Sequence, residues 1–192
     1  MAIVTIIVGH PQRITFCEAL AAAYQRGAES AGHKVHMFKL AEMKFDPILR
    51  EGYREIQPLE PDLETAYDAL AASDHWVLVF PLWCGDMPAL QKGFIERILQ
   101  PDLIRRQGTE NAMNWRIFQN KSARIIMTMM MPVSTYRFWY GPHAIKLLKN
   151  NILNFIGIRP VRHTLLGMVS DSSIDTRNRW LKEAEALGQR AQ

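Results

Sequence analysis

Two cysteines in 192 residues, Cys17 and Cys84, are too few for a disulfide framework, and their spacing fits no metal-ligand pattern. Long apolar runs are missing too. The N-terminal AIVTIIVG is too short to cross a bilayer and lacks the basic flank and cleavage pattern of a leader. The chain is therefore expected to be soluble, with the cytoplasm as its default compartment and no membrane span. No G-x-G-x-x-G follows the first apolar run and no G-x-x-x-x-G-K-[ST] occurs anywhere, which removes the two common nucleotide loops. Cys17 is followed six residues on by Ala23 rather than Arg, against a phosphatase-type cysteine loop, and the first apolar run ends without an acidic pair, against a response-regulator phosphoacceptor. Lys and Arg total 23 against 19 Asp and Glu, but they are spread along the chain rather than blocked. That pattern does not point to nucleic acid; a mildly basic surface suits anionic small molecules.

What is present is an ordinary globular composition, 48% hydrophobic and 22% charged, without repeats or low-complexity tracts, and residues 1–192 fit one domain. Apolar runs at 3–8, 34–38, 76–80, 123–129 and 161–169 predict strands; the near-continuous first and third suit burial on both faces of a parallel sheet. Helical patterns lie at 15–32, ending at Gly32 as a C′ residue, and at 62–74, 88–99, 142–157 and 175–190, with Pro88 and Pro142 suited to first turns. The alternation predicts an α/β, doubly wound parallel sheet, whose ligands sit beyond the carboxyl ends of the strands. The loops after Val8, Phe80 and Met129 are therefore the ones to examine. Two long excursions, 41–61 and the polar stretch between Leu99 and Lys121 with Trp115 and Phe118, read either as functional covers or as surface padding.

The first loop, GHPQRITF, leads from a strand into a helix whose unpaired N–H groups and dipole favour an anion. Thr15 suits an N-cap or a hydroxyl donor, and His10 and Arg13 add donors, although a plain capped connector reads equally well. The second, FPLWCGDMP, brackets Trp83 between Pro81 and Pro88. It offers a planar apolar wall of the kind an isoalloxazine ring needs, or else caps the core. The third gathers Tyr136, Phe138, Trp139 and Tyr140 with Arg137 and His143, for stacking a planar substrate, for a subunit contact, or for packing on the domain itself. Met129, Met130 and Met131 read as apolar packing or a soft pocket wall rather than metal ligands, because consecutive residues cannot share one face of a strand.

Taken in order, GHPQRITF, KFDPIL, FPLWCGDMPALQKGFIERIL and Y…GPH resemble the flavodoxin-like NAD(P)H:quinone oxidoreductases, the family of the mammalian quinone reductases and the bacterial drug-activity modulator and potassium-efflux ancillary proteins. The P-L-x-x-x-x-x-P-A-x-x-K-G-F-x-[DE]-R stretch is the most specific mark, and the resemblance spans nearly the whole chain. It implies a five-stranded parallel sheet of order 2-1-3-4-5 with helices on both faces, a flavin (FAD, with FMN as the alternative), NAD(P)H as co-substrate, a quinone-like acceptor and a homodimer. It places His10, Thr15, Phe16 and Cys17 at the flavin phosphates, Pro81, Leu82, Trp83 and Cys84 against the isoalloxazine, Glu96 near the adenosine of FAD, and Thr128, Met129, Met130 and Met131 in the flavin loop. Tyr136 and His143 match the catalytic pair. The sequence departs from the family at Met130 and Met131, where glycines let the backbone approach the flavin, at Cys17, often Asn, and at Cys84, commonly aromatic.

The function so implied is two-electron transfer from a nicotinamide donor to a quinone or similar acceptor by ping-pong hydride transfer. The alternative is a flavin-binding regulatory subunit of a partner protein with little turnover. A flavodoxin-type electron carrier fits less well, because those proteins are strongly acidic and this chain carries +4.

Overall fold

The computed structural model describes residues 1–101 and 116–191. Strands β1 (Ile3–Val8), β2 (Lys34–Lys39), β3 (His75–Pro81), β4 (Ser122–Thr128) and β5 (Val161–Leu166) alternate with helices α1 (Phe16–Ser30), α2 (Pro61–Ala72), α3 (Ala89–Ile98), α4 (Val133–Thr135), α5 (His143–Lys146) and α6 (Ile174–Gln189). The sheet is five-stranded, ordered β2-β1-β3-β4-β5, and every pairing is parallel. The order reverses between β1 and β3, so the loops after Val8 and Pro81 open side by side at a switch point.

Alternation along the strands divides the core. Val4, Ile6 and Val8 of β1, with Val77 and Val79 of β3, face α1 and α6. Ile7, Trp76, Leu78 and Phe80 face the opposite layer, built from α2, α3 and the helix that follows His143. Helices α1 and α6 cross where a Cβ on Gly27 would lie 1.9 Å from the Glu185 carbonyl oxygen, and one on Gly188 2.0 Å from that of Tyr24. The two glycines let the backbones touch.

Element edges shift from the sequence expectation for local reasons. β5 stops at Leu166 rather than running to 169, because Gly167 sits under the Met131 carbonyl and Val133. Pro88 and Pro142 are N-caps rather than first-turn residues. Gly32 lies just past the C-cap Ala31 of α1 with φ +79°, as its type predicts. The helix expected over 142–157 is His143–Lys146 followed by a π-helical stretch, Leu147–Leu153.

The excursion 41–61 is tied to α3 by two residues of the KGFIER stretch. A Cβ on Gly93 would strike the Pro47 carbonyl oxygen at 2.4 Å. Arg97, fully buried, pairs with Glu60 at 2.9 Å and also donates to the Asp46 and Pro58 carbonyls. Of the stretch between Leu99 and Lys121, Trp115 lies outside the described residues. Phe118 is in the core, 4.9 Å edge-on from Trp76. Among the described residues no helix is long and apolar enough to cross a membrane.

Candidate functional site

Thr128, at the end of β4, joins the loops at the carboxyl edge. Its carbonyl accepts from the Leu82 N–H at 2.7 Å, and its hydroxyl lies 3.4 Å from the Cys17 sulfur. The Gly9 N–H donates to the Val79 carbonyl at 2.8 Å, and the His10 ring meets the Trp83 indole edge-on with centroids 5.3 Å apart. Three loops far apart in sequence thus share one small area.

In the first loop Thr15 caps α1, its hydroxyl accepting from the Glu18 N–H, while Glu18 reaches back to the Ile14 N–H at 2.9 Å and pairs with Lys39. This variant of a capping box holds the loop over the helix end. Gln12 N–H donates to His10 Nδ1 at 3.0 Å. A nitrogen that accepts is unprotonated, so the ring proton sits on Nε2, free to donate outward. Burial holds the His10 imidazole below its ordinary pKa, keeping the ring neutral at pH 7. Ile14 is almost wholly exposed with φ +57°. Phe16 turns to Trp180 and Arg177 of α6 rather than to the loop, and Cys17 is 2% exposed, its sulfur directed inward to Thr128.

The second loop leaves buried Pro81 through half-buried Leu82 into a tight turn. Trp83 and Asp86 exchange backbone hydrogen bonds of 2.8 and 2.9 Å, with Cys84 and Gly85 both at positive φ. The Asp86 carboxylate accepts from the Met87 N–H. Trp83 is left 43% exposed, a wall facing His10, and Cys84 projects to solvent.

In the third loop Met129 is buried, Met131 is half-buried and Met130 is open. Here the segment is pinned from behind, because the Met131 and Met129 carbonyls accept from the N–H groups of Met168 and Val169. The aromatic run is one π-helical turn, Tyr136–Tyr140, with Tyr136 buried and Phe138, Trp139 and Tyr140 exposed. Packing on the domain's own core therefore accounts for Tyr136 alone. Its hydroxyl accepts from the Ile145 N–H at 3.3 Å, so it caps the helix that carries His143. Burial pushes the phenol up, keeping it neutral with its proton still to donate. His143 folds over Gly141, where a Cβ would fall 2.7 Å from its Nε2. A cleft of about 400 Å³ separates the Cys84–Gly85–Asp86 turn from His143, Lys146 and Asn151. A separate hollow of about 180 Å³ beside Tyr53, Arg54 and Gln100 contains none of these groups.

Glu96 is paired with Lys92 on a partly exposed face of α3. Gln91 escaped the sequence reading. It is fully buried, neither atom of its amide has a partner among the described residues, and a Cβ on Gly9 would fall 1.7 Å from its Oε1. A polar residue on the inner face of an apolar helix was the available signal. Lys146 and Asn151 were missed because nothing local marks them as facing the cleft.

The site offers first-turn N–H groups, a neutral imidazole N–H and a half-open indole on one side of the Trp83 turn, and a polar cleft on the other. The chain is 29% identical over 169 residues (84% of this chain, 82% of the other) to a Haemophilus influenzae protein named as an uncharacterized NAD(P)H oxidoreductase. It is 24% identical over 211 residues to rat NAD(P)H dehydrogenase [quinone] 1, covering 95% of this chain and 76% of that one. The NAD(P)H:quinone oxidoreductase of Methanothermobacter marburgensis superposes with a TM-score of 0.80 at 23% identity, over 98% of this chain and 95% of that one. The family model described as Flavodoxin-like fold matches residues 3–190, and with its sheet order and switch-point loops the chain belongs to that family.

Proposed function

We propose that this protein is a flavin-dependent NAD(P)H oxidoreductase that moves two electrons from a nicotinamide donor to a quinone or similar acceptor, the two substrates using one face in turn in a ping-pong cycle. The observation that carries the reading is the His10–Trp83 contact across the mouth of α1, which sets a donor for an anion beside a wall for a flat ring. Family membership and the names of the relatives support it.

The residues present fit a flavin. The α1 N–H groups, the Thr15 cap and His10 Nε2–H would hold its phosphate; Pro81–Cys84 and Thr128–Met131 would hold its ring; the Gln91 amide under Gly9, unpartnered among the described residues, marks a polar floor beneath the site. FAD is the first choice and FMN the second. When bound, flavin supplies the two-electron chemistry that couples nicotinamide oxidation to acceptor reduction. His143, at the rim of the cleft, steadies developing negative charge or delivers a proton from its ring. Tyr136 acts through the helix it caps, fixing where His143 stands. The exposed Phe138, Trp139 and Tyr140 suit a homodimer contact beside the site.

The test is direct. Purified protein should carry or take up a flavin, identified after heat release, and should oxidise NADH or NADPH in the presence of a small quinone. Protein that binds neither FAD nor FMN overturns the reading; flavin binding without turnover would favour the regulatory-subunit alternative.

A further inference from the structure

We propose that the cleft between the Trp83–Asp86 turn and α5 is an anion subsite for the redox substrates, with Lys146 as its charged element. The protein would then favour a donor or acceptor bearing a sulfonate, carboxylate or phosphate beside its reacting ring. This inference rests on the oxidoreductase reading and adds a substrate class to it.

Four observations support it. The cleft, about 400 Å³, is large enough for a substituent next to the reacting ring, and one wall carries His143, Lys146 and Asn151. Lys146 is exposed and forms no ion pair among the described residues, whereas Lys39, Lys92 and Arg97 each hold a carboxylate. The acid facing it across the cleft, Asp86, keeps its charge but accepts from its own neighbour, the Met87 N–H, at 2.7 Å and forms no ion pair with Lys146 among the described residues. Finally, residues 121–170, which supply that wall, contain seven Lys and Arg and no Asp or Glu. The same field reaches His163, which is held below its ordinary pKa first by burial and then by Lys149 and Arg137. A basic wall with an unpaired lysine facing the cleft draws anions to it.

The test compares a naphthoquinone with its sulfonated analogue, and NADH with NADPH, on the flavin-loaded protein. Lys146→Gln should lower the kcat/KM ratio of sulfonated to neutral quinone about two- to fivefold, the effect of one exposed charge pair. Lys146→Arg should restore the ratio, Lys146→Glu should lower it further, and about 0.5 M salt should erase most of the difference. If the ratio of NADPH to NADH falls instead, the anion is the 2′-phosphate of the donor. Both ratios unmoved would overturn the proposal. Calorimetric binding of the sulfonated quinone to wild type and Lys146→Gln gives a second readout independent of turnover. An inactive protein would end the oxidoreductase reading, while equal affinities together with unmoved quinone and NADPH ratios would end this one.

Discussion

The Cys17 sulfur lies 3.4 Å from the Thr128 hydroxyl, beneath the mouth of the site, joining the first turn of α1 to the last residue of β4. Burial pushes the thiol up to about 11, with the Thr128 contact opposing. Cys84, the other cysteine, is exposed on the Trp83 turn. A thiol reagent at pH 8 should therefore modify one equivalent quickly in the native protein and the second only after denaturation. Two fast equivalents would show that Cys17 is not buried as described.

Arg97 is a buried cation holding Glu60 and two backbone carbonyls of the 41–61 excursion. Arg97→Met should cost about 3 kcal/mol, because it leaves Glu60 and the carbonyls without their partner; the partial exposure of Glu60 keeps the loss at the low end for a buried pair. Urea denaturation measures it, and limited proteolysis should then cut within 41–61 first.

Gly141 has φ +74°, and a Cβ there would fall 2.7 Å from His143 Nε2. Gly141→Ala should destabilise the fold by about 1–2 kcal/mol and displace the imidazole. Quinone turnover should fall more than flavin retention, as read by steady-state assay against flavin absorbance.

His143→Ala should lower turnover about 100-fold with flavin content preserved, the usual scale for a lost acid–base group. Tyr136→Phe removes the hydroxyl that accepts from the Ile145 N–H, so it should lower turnover by a smaller factor and also reduce thermal stability. A Tyr136→Phe protein of wild-type stability and activity would remove its positioning role.

His75 is buried beside Ser122 and stacked on Tyr24; desolvation first, then Arg124, Arg162 and His33, lower its pKa to about 4. The folded state therefore binds this proton less readily than the unfolded chain, whose value is near 6.5. Stability is complete above pH 6.5 and falls as pH drops toward 4, by up to about 3 kcal/mol from this group. Denaturation midpoints at several pH values should show that slope, and His75→Gln should flatten it.

Much of the scaffold was legible from residue pattern. Residues 3–8 and 76–80 read as strands buried on both faces because they are, and Thr15 was recognisable as a cap from its type. The last strand was overrun past Gly167, since apolar residues continue to Val169 but face a turn there. The KGFIER stretch was visible as a motif, yet Arg97 had no assigned task, because its partners Glu60, Asp46 and Pro58 lie 37 to 51 residues away.

Periodicity and turn chemistry, which depend on neighbours in the chain, determined the parallel sheet, the order of its helices and the three loops that meet at the carboxyl edge. Only the tertiary structure decided what each side chain in those loops touches. It sent Cys17 inward to Thr128, turned Phe16 to Trp180, spent the Tyr136 hydroxyl on the Ile145 N–H and set Lys146 across a cleft from Cys84. Burial along an element repeats with a fixed period and can be read in one dimension. The partner of a hydroxyl or a charge is set by contacts between elements far apart in sequence, which exist only once the sheet has closed its two layers.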